Sequence, residues 1–423
     1  MLPLWHALGV PSTRVPLDLT AWVSYVHPPL VLGSVIGLLA IIPQTRSARL
    51  ALWPIVALLA LRAAVGVDMT FGKPGLKFFN AYFAVSDFLR KLLQVSFGRR
   101  TYTDFPQCIM FSTVARALDF ALAKEPLMRH FRPASSVPSI IKDALDLSIS
   151  ARGLGWNWSH GFHIPQDARP TNRMPFAFCT VLSAAWYAFV FGVLHRAILS
   201  FSGVPPNPQG STIFDETLPP SLGYLRASII SILTALVAYS SLQMTYDLST
   251  ISAVLFFGQD PAEWPPAFDA PWRATSLIEF WGRRWHQLNR HVYLVLGGRP
   301  FTLFFGRAGT ILGAFLTSAV MHDILLLCLD RNAEPWRMFV GFGMMGPAML
   351  AERAFYKATG RKVGGVVGWV WMMAWMVVLG NGMIEGVIKA GGLGSATLID
   401  GVTPVRVLVE RLVTGFDGWL HAI

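Results

Sequence analysis

Charge is what this sequence has least of. Charged residues make up 14% of its 423 residues and hydrophobic residues 53%. An average soluble domain carries roughly 25% charged residues, because a packed core has to be covered with polar surface. With a mean hydropathy of +0.47, the deficit excludes a soluble chain of several domains and, equally, intrinsic disorder. Cysteine is scarce too. Cys108, Cys179 and Cys328 form no CxxC pair and no zinc spacing, so neither a structural disulfide nor a metal site is expected. Cys179 and Cys328 sit in apolar stretches, where a cysteine usually serves as a small core residue. The opening MLPLWHALGVPSTRVPLDLT lacks a basic region ahead of an apolar core, which points to an uncleaved first anchor rather than a signal peptide. GxxxxGK[ST], HExxH, GxSxG and DxDx-type patterns are missing, and with them the usual marks of ATP-driven transport, zinc proteolysis and serine-hydrolase chemistry. No repeat of roughly 20–50 residues appears, so the repeat signature of many transporters is missing as well.

What is present is apolar length. A bilayer-spanning helix needs about twenty mostly apolar residues. Such runs cover Val23–Ile42, Leu50–Val67, Phe176–Phe201, Ala227–Phe257, Phe301–Leu329 and Val366–Ile388. Weaker candidates are Phe78–Leu93, Tyr102–Leu122, Trp336–Leu350 and Val402–Leu420. The expected fold is an all-α, polytopic transmembrane bundle of about eight spans, organised as a single membrane domain over 1–423. Phe301–Leu329 is long enough to tilt or to run past the membrane. Two segments interrupt the pattern: a polar and aromatic loop over 124–173, carrying ARGLGWNWSHGFHIP, and a Pro-rich loop that opens the segment 258–329. The 35 Lys and Arg against 24 Asp and Glu lie mainly in short stretches between apolar runs. There they set topology and meet anionic lipid or substrate phosphates, and nucleic acid is not an expected partner.

An ionisable group within an apolar span is costly, and is a functional candidate by default. The foremost case is TILGAFLTSAVMHDILLLCL, which places His322 and Asp323 in the middle of a helix. Ser318 shares the face of His322, while Asp323 points about 100° away. A neutral imidazole accepts a proton near pH 7; the bland alternative is a histidine bonded between helices. The second case is SLIEFWGRRWHQLNRHVYLVLGGR. As a helix it would align Glu279, Arg283, His286 and Arg290 along one stripe, with Trp281, Trp285 and Tyr293 at other positions. That pattern fits an ordinary membrane interface. It also fits arginines that bind a polyanionic substrate through bidentate, charge-assisted bonds while His286 reaches into a site. Asp247 either orients a histidine or substrate hydroxyl or marks a helix break. Asn381 and Glu385 suit an interhelical hydrogen bond. Asn157-Trp-Ser159 is formally a glycosylation sequon, in a setting of tryptophans near a membrane that argues against modification.

The combination of EFWGRRWHQLNR with the downstream histidine of SAVMHD resembles the wax synthase-like branch of the membrane-bound O-acyltransferases. The ARGLGWNW run resembles a second block of fungal members, many of which are terpenoid acetyltransferases of secondary metabolism. The resemblance covers roughly Arg152 to Asp323. It implies that His322 is the catalytic histidine and that His286 matches the second family position, often Asn or His. It implies an acyl-CoA co-substrate with no bound cofactor. Its CoA would be held by Arg283, Arg284 and Arg290, with Trp285 beside them. His286, Asn289 or a backbone N–H would stabilise the oxyanion. Asp323 stands where many relatives have Glu, and with Ser318 and Asp247 is expected to act only in support; an acyl-serine relay through Ser318 is the less expected route. Acetyl transfer to a hydroxylated terpenoid is the first expectation, long-chain esterification of a fatty alcohol or sterol the second. An endoplasmic reticulum or related endomembrane follows from the class alone. The rivals from other classes are a transporter of an anionic metabolite and a structural scaffold.

Overall fold

The computed structural model describes residues 15–68, 106–130, 139–149, 152–159, 163–205, 211–256, 258–330, 333–393 and 398–423. Long helices arise where apolar residues run unbroken, because backbone in hydrocarbon must satisfy its own N–H and C=O groups. The helices of ten or more residues are α1 (Leu19–Ile41), α2 (Arg46–Gly66), α3 (Pro106–Leu122), α4 (Ile140–Ile149), α5 (Arg173–Leu199), α6 (Pro220–Leu255), α7 (Arg299–Leu329), α8 (Trp336–Thr359), α9 (Gly365–Lys389) and α10 (Thr403–Ala422). Among the described residues the only strands are two short pieces, β1 (Val15–Pro16) and β2 (Val67–Asp68), which pair in parallel and tie the start of α1 to the end of α2. Among the described residues six stretches are long and apolar enough to cross a membrane: Leu19–Ile41, Arg46–Ala64, Arg173–Leu199, Pro220–Leu255, Arg290–Leu327 and Gly365–Lys389. The protein is an all-α, polytopic membrane bundle. The weaker candidates Tyr102–Leu122 and Trp336–Leu350 correspond to α3 and α8, while Phe78–Leu93 lies outside the described residues.

Several hydroxyls in the long α6 are tolerated because they return their protons to their own helix. Thr234 donates to Ile230 O, Ser240 to Leu236 O and Thr250 to Tyr246 O, each at 2.8 Å, the usual way to carry Ser and Thr in hydrocarbon. Ser183 and Gln243 both donate to the buried Asp247, at 2.6 and 2.8 Å, and so join α5 to α6. Asn381 and Glu385 do not pair with each other. Asn381 donates to Ser228 Oγ at 3.2 Å, and Glu385 accepts from Thr212 Oγ1 and Ile213 N, each at 2.9 Å.

α10, the weak candidate Val402–Leu420, is not one of the long apolar stretches. It carries Arg406, Glu410, Arg411 and Asp417 and packs where α5 ends and α6 begins. Glu410 pairs with Arg196. Asp417 accepts from Arg226 Nε at 2.6 Å and from Ser202 N at 2.9 Å, and the fully buried Arg226 also donates to Ile213 O and Ser202 O. Burial alone would raise the Asp417 pKa, but Arg226 and Ser202 outweigh it and hold the carboxyl below the ordinary range. A lowered carboxylate pKa stabilises the docked helix above the unfolded value of about 3.9, and that stability drains as pH falls towards the folded value. Hydrogen-exchange protection of α10 should therefore fall about tenfold per pH unit within that window. It should stay flat at higher pH, and an Asp417→Asn variant should show neither the protection nor its pH dependence.

One expectation about the backbone fails. Phe301–Leu329 is not a single rod, because Gly306 lies at φ 55° and ψ −141°, outside helical space. That backbone suits a residue without a Cβ. The chain reverses there, and 290–305 packs antiparallel against 307–329. Thr302 Oγ1 meets Thr310 Oγ1 at 2.7 Å, and Tyr293 OH meets Met321 Sδ at 3.2 Å. The small residues of the two arms make the approach possible. A Cβ on Gly313 would overlap Gly297 O, one on Gly297 would overlap Gly313 O, and one on Gly309 would overlap Phe301 O. Close backbone crossing over Gly, Ala and Ser is how membrane helices gain packing energy without a hydrophobic driving force. At the reversal Leu303 and Phe304 are 84% and 78% exposed, an apolar tip suited to lipid.

Candidate active site

The motif segment enters the bundle as a short helix, Leu277–Glu279, continued by a π turn, Phe280–Arg284. Ser276 caps its start through Glu279 N at 3.0 Å. A second cap comes from far away in sequence. The buried Glu352 of α8 accepts from Leu277 N at 2.7 Å, from Ile278 N at 3.0 Å and from Trp371 Nε1 at 3.0 Å. A carboxylate at a helix start satisfies orphan N–H groups, and here it fixes the motif to α8 and α9. The expected stripe of Glu279, Arg283, His286 and Arg290 does not form. Helical geometry ends at Trp285, which is extended at φ −69° and ψ 155°, and resumes only at Arg290–Tyr293. The break is stabilised locally. Gln287 Nε2 donates to Trp285 O at 2.6 Å, and Arg290 Nη1 donates to Gly282 O at 3.3 Å and Gln287 Oε1 at 3.2 Å.

The antiparallel register then places this break beside His322. Asn289 Nδ2 lies 4.0 Å from Met321 Sδ, and the Trp281 ring packs edge-on against Phe315 and Phe342, with centroids 5.8 and 6.2 Å away. Phe315 precedes His322 by two helical turns on the same face, about 10 Å along the axis. The segment thus descends past Phe315, turns at the level of Met321 and His322, and leaves through 290–305. Non-helical backbone at membrane depth requires burial in protein or a cavity to line.

His322 is held on two sides. Its ring stacks on Phe342 with centroids 4.0 Å apart and planes at 23°. Its Nδ1 lies 2.7 Å from Ser318 O. A carbonyl only accepts, so Nδ1 carries the proton and Nε2 of the neutral ring keeps its lone pair. Ser318 therefore acts through its carbonyl. Its hydroxyl, 3.5 Å from the same Nδ1, faces the nitrogen that already bears a proton, which is the wrong geometry for a serine relay. His286 packs edge-on against Phe268, with centroids 5.6 Å apart. Burial, with a contribution from the charge of His322, pushes its pKa down to about 4, so it remains a neutral polar group at physiological pH. Its Nδ1 is buried and meets no partner among the described residues, and the same holds for both oxygens of Asp323, a residue 5% exposed. Asp323 makes no hydrogen bond to His322, and Asp247 lies between α5 and α6.

The arginines divide. Arg284 donates to Glu279 Oε1 at 2.6 Å and Asp269 O at 3.0 Å, and Arg290 is spent on the loop. Arg283 alone presents its side chain outward, 60% exposed, with Asp269 Oδ2 at 3.6 Å and His163 Nε2 at 3.3 Å. His163 itself sits 2.9 Å from Asp269 Oδ2. The GWNW block acts at a distance from His322. Trp156 Nε1 donates to Asp146 Oδ2 at 2.7 Å. Trp158 packs on His291 at 4.5 Å, and Gly153, at φ +57°, leaves no room for a Cβ beneath the Trp158 ring. Buried Arg152 donates to Tyr246 OH and to Pro266 O, tying the block to the Pro-rich loop. Asn157 is folded into this latch through Met128 O, 3.0 Å from its N.

Sequence reasoning missed Glu352, Phe342, Phe268 and His163. Glu352 carried a usable signal, a carboxylate within an apolar helix; the two phenylalanines carried none.

Comparison with known proteins bears on this arrangement. Residues 264–344 match the membrane bound O-acyl transferase family. The matched stretch runs from the Pro-rich loop through His286 and His322 to just past Phe342, and so bears out the resemblance seen in the sequence. The chain is 29% identical over 204 residues to an O-mevalon transferase of Aspergillus niger, covering 43% of this chain and 44% of that protein. It is 29% identical over 143 residues to a long-chain-alcohol O-fatty-acyltransferase of Simmondsia chinensis, covering 32% and 40%. An acetyltransferase of Rhodocybe pseudopiperita is 28% identical over 235 residues, covering 53% and 56%. The chain thus spans about half the length, or less, of these relatives.

Proposed function

We propose that the protein is an O-acyltransferase that moves an acyl group, acetyl foremost, from acyl-CoA to a hydroxyl of a hydrophobic alcohol such as a terpenoid. The setting is secondary-metabolite biosynthesis in the endoplasmic reticulum or a related endomembrane. The observation that carries this reading is the tautomer of His322: an imidazole deep in a membrane bundle whose Nδ1–H is pinned to Ser318 O and whose Nε2 is left basic. Nε2 takes the proton of the acceptor hydroxyl. The oxygen attacks the thioester carbonyl, and the tetrahedral intermediate expels CoA thiolate, which recovers the proton from the imidazolium. Thiols are far more acidic than alcohols, so this departure needs little acid assistance. His286 and Asn289 border the break in the motif helix and supply neutral polar groups beside the reacting carbonyl.

Arg283 is the arginine suited to the CoA phosphates, because Arg284 and Arg290 are engaged by the protein itself. An exposed guanidinium contributes about 1 kcal/mol to such a contact. Arg283→Ala should raise the KM for acyl-CoA roughly fivefold with kcat little changed, and added salt should narrow the difference from the native protein. Initial-rate measurements at two ionic strengths check both points.

A long-chain reading is favoured by the Simmondsia relative. Membranes containing the protein, incubated with labelled acetyl-CoA or palmitoyl-CoA and a panel of hydroxylated terpenoids and fatty alcohols, separate the two. Terpenoid acetate as the dominant product supports the first reading, and palmitoyl esters of fatty alcohols replace it with the second. Flux of an anionic metabolite in proteoliposomes without any ester would overturn both in favour of transport.

A further inference from the structure

The acyltransferase reading leaves a polar atom of the motif segment without a task. The indole Nε1–H of Trp281 is buried and meets no acceptor among the described residues. An indole N–H is a donor only, and a buried donor without an acceptor is costly and rare in native proteins. Four other indoles have acceptors: Trp53 donates to Val114 O, Trp156 to Asp146, Trp264 to Gln259 and Trp371 to Glu352, at 2.7 to 3.1 Å. The nearby carbonyls of Trp285 and Gly282 accept from Gln287 and Arg290.

Its ring is fixed by the same residues that fix the base. Trp281 packs edge-on against Phe342, the ring that stacks on His322, and against Phe315 on the His322 face of α7. On its other flank it meets Trp285, with centroids 6.1 Å apart, and Trp285 leads to His286 at 5.5 Å. A buried, unpaired N–H on a ring packed between Phe342 and Trp285 suits the electrostatic stabilisation of a developing oxyanion.

We infer that the Trp281 indole N–H binds the acyl carbonyl of the thioester and stabilises its oxyanion. Resting on the acyltransferase reading, the step balances as follows. The alcohol O–H proton passes to His322 Nε2, the new C–O bond forms, and the carbonyl π pair moves onto the oxygen that accepts from Trp281 Nε1–H. Collapse of that oxyanion breaks the C–S bond, and the thiolate takes the proton back.

Trp281→Phe keeps the ring and removes the donor. Ester formation by the native protein, with kcat reduced about 100-fold in the variant and the acyl-CoA KM changed less than about threefold, is the expected result. A second measurement is independent of turnover. In the His322→Asn background, the infrared stretch of a ¹³C-labelled acetyl-CoA carbonyl should shift to higher frequency when Trp281→Phe is added. Native ester formation with kcat within about threefold in Trp281→Phe and an unmoved carbonyl stretch would overturn the assignment while leaving the acyltransferase standing. No ester from the native protein with any donor would remove the acyltransferase reading and this role with it.

Discussion

His322→Ala should lower ester formation about 1,000-fold while the protein still inserts in the membrane and still binds acyl-CoA. The size follows from the general-base contribution, which typically spans about 10²–10⁴. The selectivity follows from position. His322 is bonded to its own helix through Ser318 O and stacked on Phe342, so truncation removes the base together with one intrahelical bond and one ring contact. His322→Asn places an amide where the imidazole stood, and should be as inactive because an amide nitrogen takes no proton at neutral pH. Rates of ester formation beside acyl-CoA binding by isothermal titration check the pair. Full activity in either variant would exclude His322 as the base. Loss of binding together with activity would make it a structural residue instead.

The histidine proposed as the base stands out in the sequence, because its place in the middle of TILGAFLTSAVMHDILLLCL breaks a strong pattern. So does its carbonyl partner's position, since Ser318 stands one turn away. The path by which the motif reaches the base was not legible. EFWGRRWHQLNR has helical character on both sides of Trp285, and the break there depends on Gln287 folding back onto Trp285 O, a bond that no spacing rule announces. The cap from Glu352 joins residues about 75 positions apart in sequence, and the buried pair of Arg226 with Asp417 spans more than twice that. A single chain without aligned relatives shows neither. Arginines looked equivalent in the sequence, whereas the structure commits Arg284 and Arg290 to internal bonds and leaves Arg283 facing out. The distinction arises from the break, because a continuous helix would have pointed Arg283 and Arg290 the same way.

The reversal at Gly306 was hidden for a different reason. Membrane helices tolerate glycine, so Gly306 announces no reversal, whereas Gly309 and Gly313 read as small-residue positions for close helix packing. That close packing lies between the two arms of the reversal, and the second large effect follows from it. A Cβ on Gly313 would overlap Gly297 O and lie 2.9 Å from the Phe301 Cβ, and the first of these obstacles is backbone that no rotamer change moves aside. Gly313→Ala should therefore force the arms apart and cost about 3 kcal/mol, at the upper end of overpacking penalties. Gly382→Ala, on α9 with open space where its Cβ would sit, should instead be neutral or slightly stabilising through helix propensity. Thermal unfolding in detergent, followed by size-exclusion profile, compares them. Activity should fall with the Gly313 variant even below its melting temperature, because spreading the arms withdraws Asn289 and His286 from the level of His322 before the bundle unfolds. A Gly313→Ala protein with native stability and native rate would show that the hairpin does not set the register of the site.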